Sequence, residues 1–160
     1  MAATFSFLEA YGTGILINGS ITNANLGNLG SPNLVAATYP ITRGNNSYEK
    51  FIAGSWGGTF TKISNLQFAM TSGSYGTGEV IKWTGSVQTW YSPVTTTSGS
   101  ALGSVPTSLA NNVTVRGALG GSLVASPGSS DYIILQYQTT ASAATGPANQ
   151  KTFTLQWDEQ

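Results

Sequence analysis

Cysteine is absent from this chain, and so is histidine. Without cysteine there is no disulfide and no thiolate metal site, and the redox compartment leaves no mark on the sequence. Without histidine there is no Ser-His-Asp or Cys-His relay, no imidazole zinc site and no use of the commonest general base. Charge is scarce too. Six basic and six acidic residues cancel and make up 8% of the chain, against roughly 25% in an average soluble domain. Arg43, Lys50, Lys62, Lys82, Arg116 and Lys151 are scattered, no two of them adjacent. Nucleic-acid affinity rests on neutralising phosphates with a basic stripe, so no nucleic acid is expected as a partner. No run approaches the ~20 apolar residues that span a bilayer, so no membrane partner is expected either. Residues 1–14 lack the charged and long apolar regions of a secretory signal.

With histidine and cysteine excluded, the remaining enzymatic route is a pair of carboxylates facing each other across a cleft, ~5–10 Å apart. The acids are Glu9, Glu49, Glu79, Asp131, Asp158 and Glu159. Asp158 and Glu159 are neighbours, and neighbouring strand positions point to opposite faces. Glu79 follows a turn, as a solvated residue would. We read the acids as surface groups that keep the chain soluble. No Asp or Asn cluster has calcium-loop spacing. The expectation is a structural or binding module, with no catalytic residue, no metal and no cofactor.

What the chain does have is hydroxyls, amides and 20 glycines, with 40% hydrophobic and 11% aromatic residues. That composition suits many short strands joined by turns, and it is too apolar for disorder. Period-2 alternation supports the strands directly. Phe153, Leu155 and Trp157 alternate with Thr152, Thr154 and Gln156. Leu66, Phe68 and Met70 alternate with Gln67, Ala69 and Thr71, and Ile133, Leu135 and Tyr137 with Ile134, Gln136 and Gln138. Further candidate strands are 3–9, 14–18, 33–39, 48–54, 79–84, 86–91, 112–116 and 121–125. Gly/Ser/Asn/Pro turns separate them, and no window of helical length carries a 3.6-residue apolar stripe. About ten short strands at this spacing predict an all-β fold, a two-sheet antiparallel β-sandwich of jelly-roll or immunoglobulin-like type. A closed barrel is the alternative. The 160 residues fit one domain, 1–160, with no internal boundary.

Several residues stand out as candidate contacts. Thr4-Phe5-Ser6-Phe7 alternates well enough to add a strand to a sheet, its own or a neighbour's, so residues 2–11 are a candidate contact arm carrying Phe5 and Phe7. Trp90 and Tyr91 are adjacent, so in a strand one ring would face outward. Trp56, between Ser55 and Gly57-Gly58, falls at a strand end or loop, where it is either tucked in or an exposed anchor. Phe153, Trp157 and Trp83 are expected in the core. Tyr11-Gly12-Thr13-Gly14 is duplicated at Tyr75-Gly76-Thr77-Gly78, each copy followed by an apolar-containing triplet. Neither copy opens a helix or precedes a Lys as a phosphate-cradling loop would, so both are read as turns into strands.

One set of segments resembles a known family. Ser64-Asn65-Leu66-Gln67-Phe68, Thr77-Gly78-Glu79-Val80-Ile81-Lys82, Tyr91-Ser92-Pro93-Val94, Asp131-Tyr132-Ile133-Ile134-Leu135-Gln136 and the ending Phe153-Thr154-Leu155-Gln156-Trp157-Asp158-Glu159 are similar to small β-sandwich virion proteins of tailed bacteriophages. The likeness covers roughly residues 48–160. It implies a capsid decoration or cement protein on the outer surface of the head, with the major capsid protein as partner and a homo-oligomeric state. A tail or neck protein would look the same at this level. Two competing expectations carry no virion. One is a carbohydrate-binding module with Trp56, Trp90 and Tyr91 as a stacking platform, and the other is a pilin-like surface-assembly subunit.

Overall fold

The computed structural model describes residues 2–95, 101–116 and 121–160. Its strands, in chain order, are β1 (Ala3–Tyr11), β2 (Leu16–Ile21), β3 (Lys50–Gly58), β4 (Ile63–Ser72), β5 (Glu79–Val87), β6 (Gly103–Ser104), β7 (Gly128–Ser129), β8 (Tyr132–Thr139) and β9 (Thr152–Glu159). No helix occurs among the described residues. The larger sheet has the order β2-β1-β3-β8-β5-β6, with the short β7 also paired to β3; β4 and β9 form a second, two-stranded sheet. Every pairing is antiparallel. The expected two-sheet β-sandwich is therefore the architecture observed, and neither sheet closes into a barrel.

Alternation decides which side chains meet between the sheets. Ile52 and Trp56 of β3, Ile81 of β5, and Ile133, Leu135 and Tyr137 of β8 face Leu66, Phe68 and Met70 of β4 and Leu155 of β9. Phe153 and Trp157 pack half-buried at the margin of this core, and Trp83 stacks on Phe68 with centroids 5.3 Å apart. Gly54 makes the centre possible. A Cβ there would lie 2.7 Å from the Trp56 ring and 2.8 Å from Leu155, so only glycine lets both side chains close over β3.

The smaller sheet is extended by chain that is not strand. Asn112 accepts from the Phe68 N–H and donates to the Phe68 carbonyl, both at 2.8 Å, so one side-chain amide replaces a neighbouring strand. Ile63 exchanges backbone bonds with Leu123, and Val105, Val113, Val115 and Leu123 seal that flank of the core.

The outer face of the larger sheet is covered as well. Phe51, Ala53, Tyr132 and Ile134 point away from the sandwich, and Val87, Trp90, Tyr91 and Leu102 pack over them. Residues 132–137 of β8 are consequently buried on both faces, which explains their near-continuous apolar run.

Four expected strands are not formed as such. Residues 33–39 curl, because the Val35 carbonyl accepts from both Thr38 and Tyr39 N–H, leaving Leu34 as the buried residue of the segment. Strand β5 ends at Val87, and residues 88–91 become the cover over the outer face. Residues 112–116 and 121–125 contribute isolated bridges alone, at Val115 and Leu123.

The duplicated Tyr-Gly-Thr-Gly turns also differ. The left-handed glycine is Gly12 (φ 85°) in the first copy and Gly78 (φ 72°) in the second. Both lead into strands, through different turns.

Candidate functional site

Half of the acids are interior. Glu9, Glu49 and Asp131 are buried, as is Lys50. This corrects the reading of the acids as surface groups: each is desolvated, and each has a partner that makes the desolvation tolerable. Lys50 Nζ lies 2.6 Å from Glu9 Oε1 and donates to the Ser31 carbonyl at 2.5 Å. Burial pushes the Glu9 carboxyl above its ordinary range, and Lys50 pulls it part of the way back. The pair closes the β1–β3 end of the sandwich and fastens the long 22–49 connection to it.

On the other face of β3, Glu49 accepts from the Tyr91 hydroxyl at 3.0 Å and the Val94 N–H at 3.3 Å. Gln136 donates to the Val94 carbonyl at 3.3 Å. These bonds tie the 88–95 cover to the sheet. The Thr114 hydroxyl donates to Asp131, whose own N–H donates to the Thr114 carbonyl at 2.8 Å. These three acids are structural fasteners.

Glu79 is also enclosed, contrary to its reading as a solvated residue. It accepts from the Gly76 N–H at 3.0 Å and lies 4.0 Å from Lys151 Nζ, and its side chain is 9% exposed. Burial, and then the Glu79 carboxylate that accepts from it, push the Tyr137 hydroxyl well above its usual value. Desolvation lowers Lys151, and Glu79 opposes that shift. The Lys151 ammonium also sits 5.3 Å from the Tyr75 ring centroid and 5.8 Å from that of Tyr137.

This trio stands beside an open cleft of about 380 Å³ between the two sheets. Its lining includes Phe7, Ile52, Ile81 and Leu135 from the larger sheet and Phe68 and Phe153 from the smaller one. Asn23, Asn25, Asn149 and Gln150 stand on its rim. The arrangement suits enclosure of an apolar group held by neutral amide hydrogen bonds.

The predicted contact residues are not brought together. Trp56 is 0% exposed and packs against Phe5 and Trp157, so it is a core residue and not an exposed anchor. Phe5 and Phe7 are half-buried on β1, with Phe5 4.6 Å from the Trp157 ring. Residues 3–11 form a strand of the chain's own sheet, paired with β3 along residues 3–10 and with β2 along residues 7–11 alone. Trp90 and Tyr91 are half-buried against Phe51, at 4.7 and 4.8 Å with their planes tilted by 58° and 82°. A sugar-stacking platform needs exposed ring faces. The three rings Trp56, Trp90 and Tyr91 lie on opposite faces of the sheet and do not supply one.

Sequence reasoning passed over a different surface. Residues 10–42 contain no Lys, Arg, Asp or Glu. Ile15, Leu16, Ile17, Leu29 and Val35 lie in that stretch, and they are all but Val124 of the exposed large apolar residues among those described. Ile15, Leu16 and Ile17 are 56%, 55% and 51% exposed, Ile15 just before and Leu16 and Ile17 at the start of β2, the last strand of the larger sheet. The side chain of Asn18 donates to that of Asn33 at 3.4 Å, which holds the neighbouring loop beside this edge. The charge gap was the signal that could have found it.

No family of known proteins matches this chain, and neither a curated protein nor a solved structure is similar to it.

Proposed function

We propose that this chain is a non-enzymatic structural protein of a virus particle, a decoration or cement protein that sits on the outside of a phage head and reinforces contacts between major capsid subunits. The observation that carries this reading is the uncharged stretch of residues 10–42, which holds most of the exposed large apolar side chains among the described residues, with Ile15, Leu16 and Ile17 side by side at the β2 edge. Contiguous exposed apolar surface on a soluble protein marks a contact site. The rest of the polar chemistry supports a rigid body: Glu9, Glu49, Lys50 and Asp131 are spent on internal bonds that pin loops to the sandwich. A clamp needs rigidity and adhesion and no reaction. Each copy can bind modestly, because contacts to several capsid subunits act together through effective concentration.

The test is to mix the purified chain with heads that lack it, image the particles by electron microscopy, and titrate occupancy at low and high salt. Regular density on the outer head surface is expected. Affinity should change by less than about tenfold with salt, because apolar burial and neutral hydrogen bonds are not screened as exposed ion pairs are. Absence of density on heads, or density at the tail or neck alone, would overturn the decoration assignment. A larger salt dependence would overturn the uncharged face as its basis.

A further inference from the structure

We infer that the free edge of β2 is a homotypic interface, at which two copies of this chain pair antiparallel about a two-fold axis through Ile15-Leu16-Ile17-Asn18 and join their larger sheets into one. The inference deepens the proposed assembly role, since it takes the same uncharged face as a contact surface and names what occupies part of it.

A strand at the end of a sheet presents a row of unpaired N–H and C=O groups, which is a template for another strand. Among the described residues the backbone of β2 pairs with β1 alone. The opposite end of the same sheet is β6, a two-residue strand too short to act as a template. Edge strands are ordinarily protected by a lysine, a proline or an inward-pointing charge. None of these occurs in β2 or in the turn before it. Its irregularity comes late: between Asn18 and Ile21 the strand holds one more residue than β1 opposite it, with Ser20 at φ 56°. That bulge bends the strand only after Asn18, and residues 15–18 stay available.

The duplicated turn supplies an internal comparison. After Tyr75-Gly76-Thr77-Gly78 the third residue, Ile81, is 3% exposed, because it pairs with Tyr137 of β8 and faces the core between the sheets. After Tyr11-Gly12-Thr13-Gly14 the corresponding Ile17 is 51% exposed: it lies opposite Ala10, on the face away from the inter-sheet core, in a strand with one neighbour. A strand alongside β2 would cover the open flank of Ile17.

Charge favours a second copy as that strand. A two-fold contact sets identical residues against each other, so any charge on the edge would meet its like. With no charge from residue 10 to 42, self-pairing carries no such repulsion. Leu29 and Val35, 37% and 61% exposed, lie on the loop that the Asn18–Asn33 bond ties to β2.

The chain's lack of cysteine gives a clean assay. Leu16→Cys introduces a single thiol at the axis, and Thr145→Cys introduces one on an exposed loop as a control. Under mild oxidation of the full chain, Leu16→Cys should form a covalent dimer and Thr145→Cys should not. Sedimentation over a concentration series should show a monomer–dimer equilibrium, weakened about tenfold or more by Ile17→Lys, with the melting temperature of that variant as the check that it folds. Three results would overturn the inference: a monomer throughout with no excess cross-linking at position 16, self-association indifferent to Ile17→Lys, or a monomer whose head binding is lost in Ile17→Lys. The last would give the edge to a capsid subunit and leave the decoration reading standing. Self-pairing without head binding would do the reverse.

Discussion

Removing the Lys50 ammonium is the sharpest perturbation of the interior. Lys50 and Glu9 are 2% and 1% exposed, with 2.6 Å between Nζ and Oε1. Lys50→Met keeps most of the aliphatic stem and leaves a carboxylate in an apolar enclosure, where Oε2 already has no hydrogen-bond partner. Breaking one side of a buried pair costs about 3–5 kcal/mol. A chain of this size loses roughly 2–4 °C of melting temperature per kcal/mol, so the midpoint should fall by about 6–20 °C. Replacing both residues with apolar groups removes both charges and the mutual need. Glu9→Leu/Lys50→Met should therefore recover most of the loss, a strongly non-additive cycle. The pH dependence has a definite sign. Burial raises Glu9 and Lys50 lowers it, so without Lys50 its folded pKa rises further above the unfolded value of about 4.3. In the variant the folded state then holds a proton that the unfolded state has lost, and the penalty grows as pH rises from that value through the folded one. Thermal and urea denaturation of the four proteins at several pH values measures this. Single variants within about 1 kcal/mol of the parent, or an additive cycle, would refute the pairing as a buried, mutually dependent one.

Three further outcomes are expected. Gly54→Ala should destabilise by about 1–3 kcal/mol in denaturant, because its methyl would crowd Trp56 and Leu155; an unchanged midpoint would contradict the packing of β3 against β9. Trp157→Ala should cost about 2–3 kcal/mol, short of the ~3–5 kcal/mol of a fully enclosed tryptophan, since its ring is only half-buried against Phe5 and Trp56; a full-sized loss would mean that the ring is enclosed. Because Tyr137 is raised, the folded state keeps a phenolic proton that the unfolded state releases near pH 10. Stability should be intact below that pH and fall above it by at most about 1.4 kcal/mol per pH unit from this group. Tyr137→Phe should flatten part of that decline in an alkaline series of melting curves, and an unaltered decline would deny Tyr137 the role.

The alternation in 152–157 and 133–138 was sufficient to place β9 and β8, and with them an all-β two-sheet fold, because a period of two leaves an apolar face that only another layer can bury. The absence of His and Cys and the charge gap at 10–42 are likewise properties of the chain before it folds. Tertiary structure decided the rest. Lys50 and Glu9 stand 41 positions apart, and Glu9 reads with the other acids as a surface group; they become an interior pair because β1 and β3 are neighbours, with Glu9 opposite Ile52 and two positions from Lys50. Trp56, in a run of Ser and Gly, is enclosed because Gly54 vacates the space its ring fills. Residues 33–39 have strand-like composition but curl, since Val35 satisfies two following N–H groups locally and no sheet edge takes them up. Ile17 and Ile81 follow the same four-residue turn, yet Ile81 faces the core between the sheets while Ile17, opposite Ala10 on an end strand, does not: which face of the sheet a position takes, and what covers that face, belongs to the fold and not to the segment.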